Sequence, residues 1–420
     1  MSRPSSSTDS LPPTPDALDA EAAGLAPDQA QAVKTHLQAQ TEEMLSFLEA
    51  LVRAESPTDV PEAQAEGQRL LTSALQDAGL VVRHLDGDGV CGGHLYARPD
   101  DASDWRETGR PLQLLLGHSD TVWSRGTIET MPFQVDREEG IVRGPGVFDM
   151  KAGLTQMVFA LQALREHGVT PPVTPVVFIN SDEESGSFHS KRHVHRLAQA
   201  VDRAFVVEPA LGLDGKIKTA RKGAGRFTIT IKGKSAHAGL DPDSGSSAIL
   251  ELSHVVQKLH ELNDPESGLV VNVGTIGGGT RPNVVAAEGR AEVDVRIQTQ
   301  EQAETVEAAI RGLTSTIPGT TLEVAGSIGR PPMEHTPASR RLWAQAQAAA
   351  ERLDLDPLEE GRSGGVSDGN LAAQHTPTLD GLGAVGDGAH AEHEFCRIDA
   401  MAERSALLAV LLTMPLDRES

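Results

Sequence analysis

Five short stretches carry side chains whose types and spacing could do chemistry. Gly117-His118-Ser119-Asp120 sets an imidazole and a carboxylate two residues apart. In a metal site this spacing lets the carboxylate accept the second ring N–H of a ligating histidine, fixing its tautomer. Gly144-Pro145-Gly146-Val147-Phe148-Asp149-Met150-Lys151-Ala152-Gly153 is a turn that delivers Asp149 to the start of a helix. Asp182-Glu183-Glu184 is an acidic run in which one glutamate could bind metal while its neighbour moves a proton. Glu208-Pro209 and Gly386-Asp387-Gly388-Ala389-His390 complete the set. Taken singly, each has an ordinary reading: Asp120 as a cap beside a surface histidine, Asp149 as an N-cap, the acidic run as a solvated loop.

The elements that must position these groups follow from periodicity. Leu112–Leu116, Val176–Ile179 and Ala204–Val207 are short apolar runs of buried-strand type, and Lys151–His167 carries an apolar stripe at helical spacing. Strands alternating with helices predict an α/β layer with its chemistry at the carboxyl ends of the strands. Asp28–Ala54 reads as one long amphipathic helix, before which Met1–Pro27 reads as a mobile tail. From residue 217 the grammar changes. Alternating Phe227, Ile229 and Ile231, a helix at Ser246–Leu262, strands near Leu269–Ile276 and Val284–Ile297, a helix at Glu301–Leu313 and a strand at Leu322–Ala325 spell β-α-β-β-α-β. Residues 217–329 are therefore expected as an insertion into a first domain made of 28–216 and 330–420, which helices at Leu342–Leu353 and Ile398–Leu412 complete.

The whole chain has 420 residues, and 60 acidic against 37 basic side chains give a formal charge of −23. Such a surface repels phosphate backbones and anionic headgroups, so neither nucleic acid nor membrane is an expected partner. Cys91 and Cys396 are the only cysteines, which leaves no disulfide framework and no Cys-based zinc site; metal would fall to His and carboxylates. No signal-peptide core and no long apolar run is found, and the expected location is cytoplasmic.

The joint pattern HxD, GxxDMKxG, EE, EP and GxxxH resembles that of the M20 family of dinuclear zinc metallopeptidases and deacylases, in wording nearest its glutamate carboxypeptidase (carboxypeptidase G2-like) branch. The resemblance implies a zinc-exopeptidase-like α/β catalytic domain with an inserted ferredoxin-like lid and dimerisation domain. It implies two Zn²⁺ per subunit, with Co²⁺ or Mn²⁺ as substitutes: Asp149 bridging, His118 and Glu208 on one ion, Glu184 and His390 on the other. Glu183 would be the general base, Asp120 would orient His118, and the Asp149–Met150 peptide would be cis. His237, in Gly233-Lys234-Ser235-Ala236-His237-Ala238-Gly239, matches a histidine that serves the partner subunit of a homodimer. Asn283 resembles an asparagine beside the reacting carbonyl. Lys216 and Arg330, in Gly329-Arg330-Pro331, match the cations that hold a C-terminal residue, and the pair suits glutamate. Arg221-Lys222-Gly223 and Ser367-Asp368 are left unexplained. The expected activity is metal-dependent release of a C-terminal amino acid, glutamate-like, from a peptide or N-acyl conjugate, against two rivals: an N-acyl-amino-acid deacylase (deacetylase or desuccinylase) of the same superfamily, and a non-catalytic binding protein that keeps the fold.

Overall fold

The computed structural model describes residues 24–100 and 110–416. Nearly all of the expected tail to Pro27 lies outside them. The amino-terminal segment is two helices, α1 (Pro27–Ala39) and α2 (Thr41–Arg53), rather than the single expected one. At the break the Thr41 hydroxyl donates to the Gln38 carbonyl at 2.8 Å, a side-chain bond that competes with helix continuation. Bending there lets both apolar faces, Val33 and Leu37 on one helix and Met44, Leu48 and Leu51 on the other, enter the same core.

The central sheet contains β1 (Leu80–Leu85), β2 (His94–Pro99), β3 (Leu112–His118), β4 (Thr174–Asn180) and β5 (Arg203–Val206). Its spatial order is β1-β2-β4-β3-β5, with Thr378–Leu379 on the far edge. β3 runs parallel to β4 and to β5, pairing Leu115 with Val177 and with Phe205, so the carboxyl ends of the three strands lie side by side. All seven residues of β3 and of β4 are buried, which is why their sequences show apolar runs instead of alternation. Helix α3 (Ala152–Glu166), almost wholly buried, and α4 (Lys191–Ala198) connect these strands.

A second core lies in a separate four-stranded antiparallel sheet of β6 (Gly223–Lys232), β7 (Val270–Gly278), β8 (Glu288–Ile297) and β9 (Thr321–Arg330), ordered β7-β8-β6-β9. Helices α5 (Ala248–Glu261) and α6 (Gln300–Arg311) cover it. This is the expected β-α-β-β-α-β arrangement. The inserted sheet itself starts at Gly223; Ile217–Arg221 instead pairs in parallel with Glu360–Ser363. Helices α7 (Pro337–Arg352) and α8 (Ile398–Thr413) rejoin the first core. Among the described residues no helix is long and apolar enough to cross a membrane.

Candidate active site

Three strand ends and one return loop converge on Asp149. β3 ends in His118, the loop after β4 carries Glu183 and Glu184, Glu208 follows β5 by two residues, and His390 comes from the segment before α8. His118 Nε2 lies 3.2 Å from Asp149 Oδ1 and 3.6 Å from Glu208 Oε1. His390 Nε2 lies 3.5 Å from Asp149 Oδ2 and 3.1 Å from Glu184 Oε2. Asp149 thus turns one oxygen to each histidine, and the five residues form two three-donor groups that share it, the donors of each within 4.8 Å of one another. The Asp149–Met150 peptide is cis.

The electrostatics of the cluster call for added positive charge. Burial opposes charge on His118, yet its bonds to Asp120 and Asp149 hold the ring well above the usual imidazole value. His390 is raised to about 10 by its hydrogen bonds to Asp149 and Glu184. Against burial, the two histidines hold Asp149 below the ordinary carboxylate range. Glu208 is pushed up to about 7 by burial and by the neighbouring Asp149 charge, with Arg221 opposing. Three carboxylates therefore compete for two imidazole protons, and Glu184 Oε1 is buried with no hydrogen-bond partner among the described residues. A set of three carboxylates and two neutral imidazoles with an orphaned acceptor fits borderline divalent cations.

Glu183 stands beside this cluster. Burial pushes its carboxyl well above the usual range, with Arg330 and His118 opposing, and Arg330 Nη2 lies 3.3 Å from its Oε1. Asp120 holds the loop: its Oδ1 accepts the Glu183 N–H at 3.3 Å and its Oδ2 accepts the Glu184 N–H at 3.2 Å and the Thr58 hydroxyl at 2.8 Å. His118 Nδ1 is 3.0 Å from the Asp120 carbonyl and 3.4 Å from Oδ1.

Several positioning residues had no clear sign in the sequence. Arg221 forms a two-point bond with buried Asp380 at 2.7 and 2.8 Å and reaches Glu208 Oε2 at 3.3 Å. Asp368 accepts from Arg330 Nη1 at 2.7 Å, from Ser187 and from Asn180. Both belong to the stretches left unexplained above. Glu394 accepts the backbone N–H groups of Gly146, Phe148 and Asp149 within 2.9–3.0 Å and the indole N–H of Trp123, which fixes the Asp149 turn. An isolated glutamate offers no spacing by which to find it.

The other expected residues make no bond to the cluster among the described residues. The Lys216 ammonium is paired with Asp214 at 3.1 Å and Glu359 at 2.7 Å. His237 and Asn283 are exposed neighbours on the inserted domain: the Ala238 N–H donates to the Asn283 carbonyl at 3.0 Å, and among the described residues His237 Nδ1 accepts from the nearby Gly239 and Leu240 N–H groups.

Comparison with known proteins places the chain in a family. The model of Peptidase family M20/M25/M40 matches residues 114–414. Carboxypeptidase G2 of Pseudomonas sp. is 28% identical over 383 residues, covering 89% of this chain and 90% of its own. A succinyl-diaminopimelate desuccinylase of Alkalilimnicola ehrlichii is 27% identical over 370 residues, covering 84% and 94%. In fold, the aminopeptidase PepT of Bacillus cereus aligns with a TM-score of 0.72 at 23% identity, over 89% of this chain and 98% of that one. The chain is a hydrolytic enzyme and belongs to peptidase family M20/M25/M40.

Proposed function

We propose that the enzyme is a homodimeric, dinuclear zinc amidohydrolase that releases a C-terminal amino acid, glutamate-like by preference, from a peptide or N-acyl conjugate. The observation that carries this reading is Asp149 shared between two three-donor groups with Glu183 alongside. His118, Asp149 and Glu208 would hold one ion, and Asp149, Glu184 and His390 the other; bound there, the pair would polarise an amide carbonyl and acidify water. Glu183, free of both groups, accepts a proton from the attacking water and returns it to the departing amine. Its buried site favours the protonated form, which suits the second transfer. Asp120 keeps Glu183 and Glu184 on one rigid loop, and Arg221 keeps Glu208 turned inward.

Arg330 is the cation nearest Glu183, and its remaining N–H groups would hold the free carboxylate of the substrate. Preference for a second, side-chain carboxylate is supported by the likeness to carboxypeptidase G2 and by Lys216. That carboxylate would have to displace Asp214 or Glu359 from the ammonium. The dimer is supported by the inserted sheet's edge strand β7, by Ile276 on it at 62% exposure, and by Leu240 at 82%. A desuccinylase is the second reading, on the strength of the Alkalilimnicola relative.

The test is release of amino acids by the zinc-loaded protein from a panel of dipeptides, N-acyl amino acids and N-succinyl amines. Free C-terminal carboxylates should be required, and glutamate should leave fastest. Turnover confined to N-succinyl substrates would replace this reading by the second. Lys216→Ala should slow glutamate-terminated substrates more than leucine-terminated ones; equal losses would remove Lys216 from recognition.

A further inference from the structure

Outside the Asp149 cluster the fold gathers another set of metal-type donors, on the far side of the loop that bears Glu183 and Glu184. Cys91-Gly92-Gly93-His94 leads into β2, and His189-Ser190-Lys191-Arg192-His193 leads into α4. The two segments have C-x₂-H and H-x₃-H spacing, which places each pair on one side of a tight loop or helical turn. Cys91 Sγ is 3.9 Å from His94 Nε2, and His94 Nε2 is 2.9 Å from His189 Nδ1. These three donor atoms lie within 4.8 Å of one another. The His193 ring centre stands 5.7 Å from that of His94 and 6.2 Å from that of His189, and the His94 and His189 centres are 5.1 Å apart. Around a tetrahedral ion with metal–nitrogen bonds near 2.0–2.1 Å, imidazole centres fall roughly 5 Å apart. Cys91, His94 and His189 thus form a three-donor set, and the His193 ring stands beside it with its Nε2 accepting from Arg192 Nε at 3.2 Å.

We propose that Cys91, His94, His189 and His193 bind a further borderline divalent cation, of zinc or cobalt type, distinct from the ions at Asp149. Two cysteines are too few for a cysteine site, but one suffices to complete a histidine one. The surroundings suit the role. Cys91 and His94 are buried, and the His189 side chain nearly so. His94 Nδ1 has no partner among the described residues, so the ring's hydrogen-bonding edge is the one facing the cluster. Asp88 Oδ2 sits 3.1 Å from His189 Nε2, where it would hold the tautomer that leaves Nδ1 free for metal. Burial and the neighbouring histidines depress His94 to about 4, which keeps the ring neutral as a ligand must be.

The ion would act as a clamp. Asp182, one residue before Glu183, accepts the N–H groups of His189 at 2.7 Å and Ser190 at 3.2 Å. Gln64 bridges the same two segments, donating to the Ser181 carbonyl at 3.1 Å and accepting from the Gly92 N–H at 2.9 Å. Metal at Cys91 and the histidines fastens the loop of Glu183 and Glu184 to the start of β2.

Cobalt distinguishes this site from the one at Asp149, because only this one offers sulfur. Metal-free full-length protein titrated with Co²⁺ should develop a near-ultraviolet thiolate-to-cobalt band whose amplitude at saturation corresponds to one thiolate-bound ion per chain. Asp149→Asn should retain the band, Cys91→Ser should abolish it, and His193→Gln should shift the accompanying visible bands. After zinc loading and dialysis, Cys91→Ser should hold one equivalent less metal than the parent, and the parent's melting temperature should fall in chelator by more than the variant's. Absence of the band in the folded parent at saturating Co²⁺ overturns the proposal, as does a band that survives in Cys91→Ser. Since the first measurement uses the unaltered protein, a variant that fails to fold does not protect the idea.

Discussion

At the scale of single residues, Glu183 and Glu184 are adjacent in sequence but differ in what they face. Glu184 reaches His390 at 3.1 Å, whereas Glu183 meets Arg330 at 3.3 Å and makes no bond to a ligand histidine. Exchange of the first should therefore cost metal, and exchange of the second should cost turnover. Glu183→Gln is expected to retain its metal by atomic emission while kcat falls by about 10²–10⁴-fold, the range for loss of a general base. Hydrolysis at the parental rate would remove Glu183 from the chemistry. Arg221 acts through Glu208. Lysine cannot reproduce its two-point bond to Asp380 together with the contact to Glu208, so Arg221→Lys should weaken metal binding by roughly 10–100-fold in a chelator competition. Unchanged affinity would limit Arg221 to a role in holding Asp380.

At the scale of elements, the inserted sheet bears His237 and Asn283 together at its exposed end, with no bond to the Asp149 cluster of the same chain among the described residues. On the proposed dimer reading, His237 would act in the partner subunit's site. Mixed dimers of Glu183→Gln and His237→Ala subunits, each inactive alone, should regain about a quarter of parental activity: half the dimers are mixed, with one competent site in each. Exchange proven by mass with no recovered activity would confine each site to one chain. Strands β3, β4 and β5 supply the opposite property. Their shared parallel register places His118 opposite Asn180, and burial on both faces holds the strand ends beside the Asp149 cluster rigid.

For the whole molecule, acid should loosen the fold through His94. Folded, its imidazole is held near 4; unfolded, it titrates near its ordinary value of 6.5. Between these values the unfolded chain binds the extra proton, so stability is full above pH 6.5 and is lost as pH falls toward 4. The loss amounts to at most about 3.5 kcal/mol at roughly 1.4 kcal/mol per unit. Urea midpoints of metal-free protein from pH 7 to 4.5 should fall more steeply for the parent than for His94→Gln. Parallel slopes would show that His94 has no part in the acid response.

The fold order and the placing of His118, Glu183, Glu184 and Glu208 at or just past strand ends were legible in the sequence because both depend on local pattern. A His or carboxylate placed just past an apolar run is a strand-end group wherever the strands pair, and the β-α-β-β-α-β alternation survives in the real sheet order β7-β8-β6-β9. What the sequence could not reveal depends on contacts between distant segments. Glu394 supports the Asp149 turn across 245 positions, and Arg221 meets Asp380 across 159. Lys216 shows the converse. The family resemblance implies a substrate-binding lysine, and only the folded chain brings Asp214 and Glu359 to its ammonium. Cys91 was set aside by counting cysteines, which says nothing of neighbours. Only the pairing of β2 beside β4, with the loop after β4 folded back over it, brings His94 within 2.9 Å of His189. Type and order are properties of the chain; which charges and donors face one another is decided by packing, where burial makes each unpaired group costly and so selects its partner.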